Sequence, residues 1–348
     1  MRTRLTDRLG LDLPIVLGPF GGLSSVELTT TVSNGGALGS YGLYGYTAGR
    51  IHATARALAA GTGAPFALNL WLPTGTERNP AAAEWDAAVA AAAPLFGELG
   101  LPLPDPPAQY LPPFDEQLDA VLDCAPAALS FVYGVPSPGA IEAAGRRRIA
   151  VIGTATTVDE AVALEAGGVD MIVASGAEAA GHRVSFLEPE PDSAVGTFAL
   201  VPQVVDAVSV PVIAAGGIAD RRGVAAALAL GAEGVQVGTA FLRTRQSAAN
   251  DAHKSIMATT GAHQTVLTRA MSGRLARGAR NRAVETIESG GAIAAFPAQN
   301  WLTGQFRTEA MRRGIGDLQS LWLGQAAPLA RLTDAQAVLA ELALGLAR

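Results

Sequence analysis

The chain has 348 residues, 49% hydrophobic and 16% charged, with 25 Lys+Arg against 31 Asp+Glu for a formal charge of −6. That apolar content excludes a disordered chain, which could not bury enough surface to offset the entropy of folding. The mild negative charge and scattered arginines exclude the basic stripe of a nucleic-acid binder.

The first eleven residues carry Arg2, Arg4, Asp7 and Arg8 and lack the apolar core of a secretory leader. Short β-type runs then recur at 14–17, 37–41, 66–72, 127–133, 149–153, 169–174, 211–215 and 234–237. Each is followed by Gly or Ser and a stretch of helical periodicity, the alternation of βα units. Most are apolar on both faces, as parallel strands under helices are. Eight such units predict a (β/α)8 TIM barrel with a long insertion after strand 3 and a helical C-terminal extension.

Helix starts are readable in two units. Thr156-Thr157 with Asp159 and Glu160 precedes an apolar helix that Gly167-Gly168 stops, and Asp220 caps a helix that ends at Gly231. The insertion, 73–113, holds an Ala-rich helix over 81–95 and a Pro-rich run over 101–113, and its length suggests a lid or substrate wall. The expected organisation is a barrel over 1–260, with 73–113 as the lid-like insertion, and a helical extension over 261–348 packed on it.

Residue scarcity narrows the chemistry. Lys254 is the only lysine and follows a histidine, so no Walker-type phosphate loop exists, and a lysine Schiff base would have to use a predicted helix surface. Cys124 is the only cysteine, which leaves no disulfide within one chain and places that thiol in a core. No apolar run is long enough to span a bilayer. A cytoplasmic protein is expected, with no nucleic acid or membrane among its partners.

In such barrels the active site lies at the C-terminal ends of the strands. Asn69 lies in the third strand, and Ser175-Gly176, Gly216-Gly217 and Gly238-Thr239 follow the sixth, seventh and eighth. The last two pairs suit a phosphate cradle built from backbone N–H groups. After strand six comes Ser175-Gly-Ala-Glu-Ala-Ala-Gly-His182-Arg183, which presents a histidine, the side chain able to move protons near neutral pH. A solvated loop histidine is the plain alternative. Position favours function for His182 and structure for His52, His253 and His263, and Glu178 reads as a residue that orients the loop or as an acid–base group. No cluster has metal-ligand spacing, so no metal is expected.

Several stretches, in order, carry a family resemblance: Pro14-Ile-Val-Leu-Gly-Pro, Val32-Ser-Asn-Gly-Gly-Ala-Leu-Gly39, Phe66-Ala-Leu-Asn69, Ser130-Phe131, the His182 loop, Pro211-Val-Ile-Ala-Ala-Gly-Gly-Ile218, Val235-Gln-Val-Gly-Thr239 and Ser320-Leu-Trp-Leu-Gly-Gln325. Together the set resembles the nitronate monooxygenases, formerly 2-nitropropane dioxygenases, over nearly the whole chain. The resemblance implies an FMN-dependent barrel that oxidises alkyl nitronates, and neutral nitroalkanes, with O2 to a carbonyl compound and nitrite.

It also implies roles. Asn69, Ser175 and Ala180 would meet the flavin; Gly216, Gly217, Gln236, Val237, Gly238 and Thr239 would hold its ribityl chain and phosphate; Gln325 would close over it. His182 matches the family's catalytic histidine. Phe20, Val132, Phe296 and Asn300 would line the substrate pocket. The chain departs from the family with Ser175 for glutamine, Ala180 for glycine, Val132 for histidine, Phe20 for a Met or small residue, and Phe296 and Asn300 near tyrosine positions, which makes the pocket less polar. The partners implied are a small-molecule substrate and O2, with a homodimer as a candidate assembly. Two other readings stay open: an FMN-dependent NAD(P)H reductase of the enoyl-acyl-carrier-protein or quinone type, and an FMN-binding accessory protein without turnover.

Overall fold

A computed structural model describes residues 1–346. Its strands are β1 (Ile15–Leu17), β2 (Gly39–Gly42), β3 (Phe66–Trp71), β4 (Ala128–Val132), β5 (Ala150–Ala155), β6 (Met171–Ser175), β7 (Gly181–His182), β8 (Val212–Ala215), β9 (Gly234–Val237), β10 (Thr265–Thr268) and β11 (Ala276–Ala279). All but β7, β10 and β11 form one parallel sheet in the order β1-β9-β8-β6-β5-β4-β3-β2. The amide of Leu38 donates to the Ile15 carbonyl and that of Leu17 to the Leu38 carbonyl, both at 2.9 Å, which joins β1 to the β2 side and closes the (β/α)8 barrel. Each predicted strand is present, with ends shifted by up to two residues, because short apolar runs do not mark where pairing stops.

Period-two alternation divides each strand between two environments. Leu68 and Leu70 of β3, Leu129 and Phe131 of β4, and Val235 and Val237 of β9 point outward into the layer shared with the helices. Ala67, Ala128, Ala150, Ile152, Met171, Val173 and Ile213 point inward and fill the lower barrel, against Leu5 and Leu9 of the helix Arg4–Leu9. At the upper inward positions the side chains turn polar or large: Asn69 and Trp71, Ser130 and Val132, Thr154, Ser175 and Gln236. The barrel is therefore plugged below and open above.

The caps read from sequence are present. Thr157 Oγ1 accepts the Glu160 amide at 3.2 Å, and Asp220 accepts the Arg222 amide at 3.0 Å. Glu160 does more than soften a helix dipole: fully buried, its carboxylate takes the Thr156 amide and hydroxyl at 2.6 and 2.7 Å and the Phe186 amide at 2.6 Å, pinning the chain that follows His182.

Outside the barrel the structure departs from a purely helical tail. β10 and β11 form an antiparallel pair, and β11 extends to β7, placing Ala276 opposite His182. His182 thus stands in a short strand and not in a free loop. The insertion helix runs Ala82–Leu99, and Trp85, Leu95 and Phe96 share a second core with Val284, Ile287, Leu302 and Phe306. None of 73–113 lines the main cavity; its helix forms a buttress between barrel and tail, while Pro73, Glu77, Leu111 and Pro112 line a smaller cavity beside it. Lys254, expected on a helix surface, is half-buried and reaches the Ser247 carbonyl at 3.5 Å, and Cys124, expected in a core, sits at a half-buried helix end 3.4 Å from His52 Nδ1. No helix among the described residues is long and apolar enough to cross a membrane.

Candidate active site

A cavity of about 760 Å³ opens at the C-terminal ends of the barrel strands. Its size falls within the range of ligand and cofactor sites. Thirteen of the fifteen residues singled out from sequence line it: Phe20, Asn69, Val132, Ser175, Ala180, His182, Gly216, Gly217, Gln236, Gly238, Thr239, Phe296 and Asn300. Val237 does not, because β9 alternates and its neighbour Gln236 takes the inward position; the Val237 carbonyl accepts the Gly18 amide at 2.9 Å. Gln325 does not either. Its amide donates to the Glu178 carbonyl at 3.0 Å, while Gly324 and Ala326 on either side reach the wall.

One side of the cavity is backbone. Gly216 and Gly217 have φ of 103° and 73°, in the left-handed region that side-chain-bearing residues avoid. A Cβ on Gly216 would stand 2.8 Å from Thr197 Oγ1 and 3.2 Å from the Gly176 carbonyl. The amides of Gly217 and Gly238 donate to no backbone carbonyl among the described residues. Such amides suit the oxygens of a phosphate. Asn69 Nδ2 donates to the Ser130 carbonyl and hydroxyl at 3.2 and 3.0 Å, which leaves Oδ1 as the atom available to a ligand N–H. Glu178 is occupied with orientation: its carboxylate accepts the amide and hydroxyl of Thr197, at 2.9 and 2.7 Å, at the start of the helix Thr197–Ala207.

The other side is built from side chains around His182. Its Nε2 lies 2.8 Å from Ser272 Oγ, which lies 3.1 Å from the Arg274 carbonyl. The serine has one proton; given to the carbonyl, which only accepts, it leaves Oγ to accept from imidazole. This assigns the His182 proton to Nε2 and a lone pair to Nδ1. Trp71 and Trp322 pack on the ring, with centroids 4.9 and 5.4 Å away. His253, buried, donates from Nε2 to the Trp322 carbonyl at 3.1 Å and so steadies that wall. Desolvation, reinforced by the charges of Arg274 and Arg307, holds the His182 pKa down at about 3. At neutral pH the ring is uncharged.

The two cations differ in their company. Arg274 pairs with Glu77 at 2.5 Å and stacks on Tyr133 and Phe296, at 4.2 and 4.0 Å from the ring centres. Arg307 makes no ion pair among the described residues. Its hydrogen bonds go to Ser320 Oγ and to the Asn300 carbonyl and Oδ1, while its Nε is buried without an acceptor. Burial pushes its pKa down to about 10, so it stays charged at neutral pH. Arg183, beside His182, faces away on the alternate side of β7 and is fully buried among the carbonyls of Ser175, Gly176 and Ser193.

The family model for nitronate monooxygenase matches residues 2–345. The chain belongs to the nitronate monooxygenase family. As a family member it is 36% identical over 342 residues to a probable nitronate monooxygenase of Staphylococcus saprophyticus, covering 97% of this chain and 96% of that one. A Staphylococcus aureus relative of the same description is 37% identical, covering 98% and 96%. Among solved structures, nitroalkane oxidase from Streptomyces ansochromogenes superposes with a TM-score of 0.91 at 34% identity, covering 99% of this chain and 98% of that one. FabK from Thermotoga maritima superposes less closely, with a TM-score of 0.77 at 27% identity, covering 99% and 96%. This nitronate monooxygenase family member is accordingly an oxidoreductase.

Sequence reasoning missed Trp71, Arg307, Ser272 and Arg274. Trp71 lies two residues beyond Asn69 on the same face of β3, and Arg307 lies seven beyond Asn300 on the helix Ala298–Arg312, so strand and helix periods could have found both. Ser272 and Arg274 sit in a turn 90 residues or more from His182, and no local pattern marks them.

Proposed function

We propose that this chain oxidises alkyl nitronates with O2 to a carbonyl compound and nitrite, with FMN as its cofactor. The observation that carries the reading is a neutral His182 and an arginine without a carboxylate partner, Arg307, on the wall of one cavity. That pair suits a small anion with a polar head. Arg307 attracts its charge, and the cost of leaving a buried guanidinium nitrogen unbonded falls when an anion sits there.

Backbone amides at Gly217 and Gly238 and the left-handed turn at Gly216-Gly217 fit a phosphate, with Gln236 and Thr239 beside it. Asn69 Oδ1, Ser175 and Ala180 would follow the flavin ring. When bound, FMN supplies the electron-accepting chemistry that none of these side chains has. Arg307 would meet the anionic oxygens of the head group; the Nδ1 lone pair of His182, held in that tautomer by Ser272, would take the carbon-bound proton of a neutral nitroalkane. A base with a pKa of about 3 removes a carbon-bound proton weakly, so preformed nitronate is the better substrate and the neutral nitroalkane the poorer one.

The test begins with colour. The purified protein should be yellow, and propyl-2-nitronate under air should consume oxygen and release nitrite. Anaerobic mixing with NADPH is the control, because an FMN-dependent NAD(P)H reductase is the second reading that the sequence left open. Rapid bleaching by NADPH without nitronate turnover would replace the first reading with the second. A colourless protein that cannot be reconstituted with FMN would remove both.

A further inference from the structure

Tyr44, Trp71 and Phe296 wall the main cavity on one face and a second, smaller cavity of about 190 Å³ on the other. The rest of the smaller chamber is mostly apolar, formed by Leu43, Leu70, Leu72, Leu111, Pro112 and Phe114. Its polar rim is already satisfied: Arg274 holds Glu77 and Thr74, and Gln117 Nε2 donates to the Tyr46 carbonyl at 2.8 Å. Nothing in it calls for a polar ligand. Leu111 and Pro112 come from the insertion, which otherwise stays clear of the main site.

The partition is thin. The three rings meet at centroid distances of 4.5 Å for Tyr44 and Trp71 and 5.9 Å for Phe296 with either partner. Of the three, Tyr44 is tied by a hydrogen bond, from Asn300 Nδ2 at 3.0 Å. Trp71 and Phe296 are held by packing alone, Trp71 against His182 at 4.9 Å and Phe296 beneath Arg274 at 4.0 Å, so an arm that passes between the cavities shifts a ring within that packing and breaks no side-chain hydrogen bond. An apolar cavity of about 150 Å³ holds a benzene ring, so this one has room for a comparable group.

We propose that this side chamber takes a hydrocarbon arm of the substrate, a phenyl ring or a straight chain of about five or six carbons, while the charged head stays between His182 and Arg307. The proposal rests on the nitronate reading for the identity of the head and on the chamber alone for the arm. Shape decides the arm's class: the walls are carbon, and the only charges, Arg274 and Glu77, neutralise each other.

Calorimetry of the protein loaded with 5-deaza-FMN, which fills the cofactor site but takes no single electron, tests it with ethyl, hexyl and benzyl nitronates, so that binding is read without turnover. Each methylene moved from water into the chamber should tighten binding by up to about fourfold, so the four methylenes that separate hexyl from ethyl nitronate should tighten it by about tenfold to 200-fold. Leu111→Trp fills the chamber and should erase that advantage. Leu111→Ala enlarges it and should shift the preference to a longer chain, giving a second readout if the bulkier variant folds poorly. Equal affinity across the series, or an advantage that survives Leu111→Trp, overturns the chamber. Binding that follows chain length, in a protein whose FMN-loaded form consumes no oxygen, overturns the nitronate chemistry and supports the chamber.

Discussion

Between Gly216 and Thr239 the cavity is walled by backbone from two neighbouring barrel strands and the turns that follow them. Opposite, around His182, it is walled by side chains gathered from stretches as distant as Tyr44, Trp71, Arg307 and Trp322, with Ser272 bonded to the histidine behind the wall. The backbone side depends on what is missing, a Cβ at the turn. The side-chain side depends on what distant segments bring together. The first kind of wall tolerates almost no substitution and offers little choice of ligand; the second can be altered one residue at a time to change which substrate fits.

The sharpest way to break this contrast is Gly216→Val. A branched side chain at φ 103° within 2.8 Å of Thr197 Oγ1 should abolish flavin retention and with it all activity. A folded, yellow variant by circular dichroism and visible absorbance would show that backbone approach there is dispensable. His182→Asn should instead leave the flavin bound and lower turnover of neutral nitroalkanes by about 10²-fold, the low end for a positioned base because its pKa lies far below neutral, with a smaller loss on preformed nitronate. Equal losses on both substrates would make His182 a structural residue.

Arg307→Met comes next. Removing a charge-assisted contact of about 1.5–3 kcal/mol should raise KM for nitronate by about 10–100-fold with kcat less affected. Steady-state kinetics with an unchanged KM would mean that the substrate's charge is met elsewhere. Ser272→Ala should cost less, about tenfold in kcat/KM, with flavin content intact, because it frees the imidazole to change tautomer or rotate.

The smallest effect concerns stability. His182 and His253 are held at about 3 and about 4 in the fold, below the 6.5 of an unfolded histidine. The unfolded chain therefore binds more protons between these values, and stability is complete above pH 6.5 and falls as the pH drops toward 3. Urea midpoints from pH 4.5 to 7.5 should trace that slope, and His182→Asn should flatten part of it. A slope untouched by the substitution would assign it to other groups.

The same contrast explains what could be read from sequence. Gly216-Gly217, Gly238-Thr239 and the strand runs are local patterns, since a turn and a period-two strand involve neighbours along the chain. Asn69 was found because it interrupts an apolar strand with a polar inward position, and Gln236 because it stands in a stretch that resembles the family. Val237 was misplaced for the complementary reason: a contiguous motif suggests that every member faces the ligand, whereas a pleated strand turns alternate members outward. Ser272 and Arg274 were invisible because the contact that defines them forms across the β7–β11 pairing, which no local period encodes. The insertion's length suggested a lid, but its apolar helix face found a partner in the tail.

The pairing of His182 with Ala276 has a further consequence for how the molecule acquires its activity. The barrel strands end at Val237, whereas the partner strand of the histidine, its serine and Arg307 all lie beyond residue 264. A chain emerging from the ribosome therefore completes the strands of its barrel before the groups around His182, and the cavity edge at Gly324 and Ala326, have been made. Closing the barrel and finishing the reaction centre are thus separate steps in the making of the protein, the second waiting on the chain beyond residue 264.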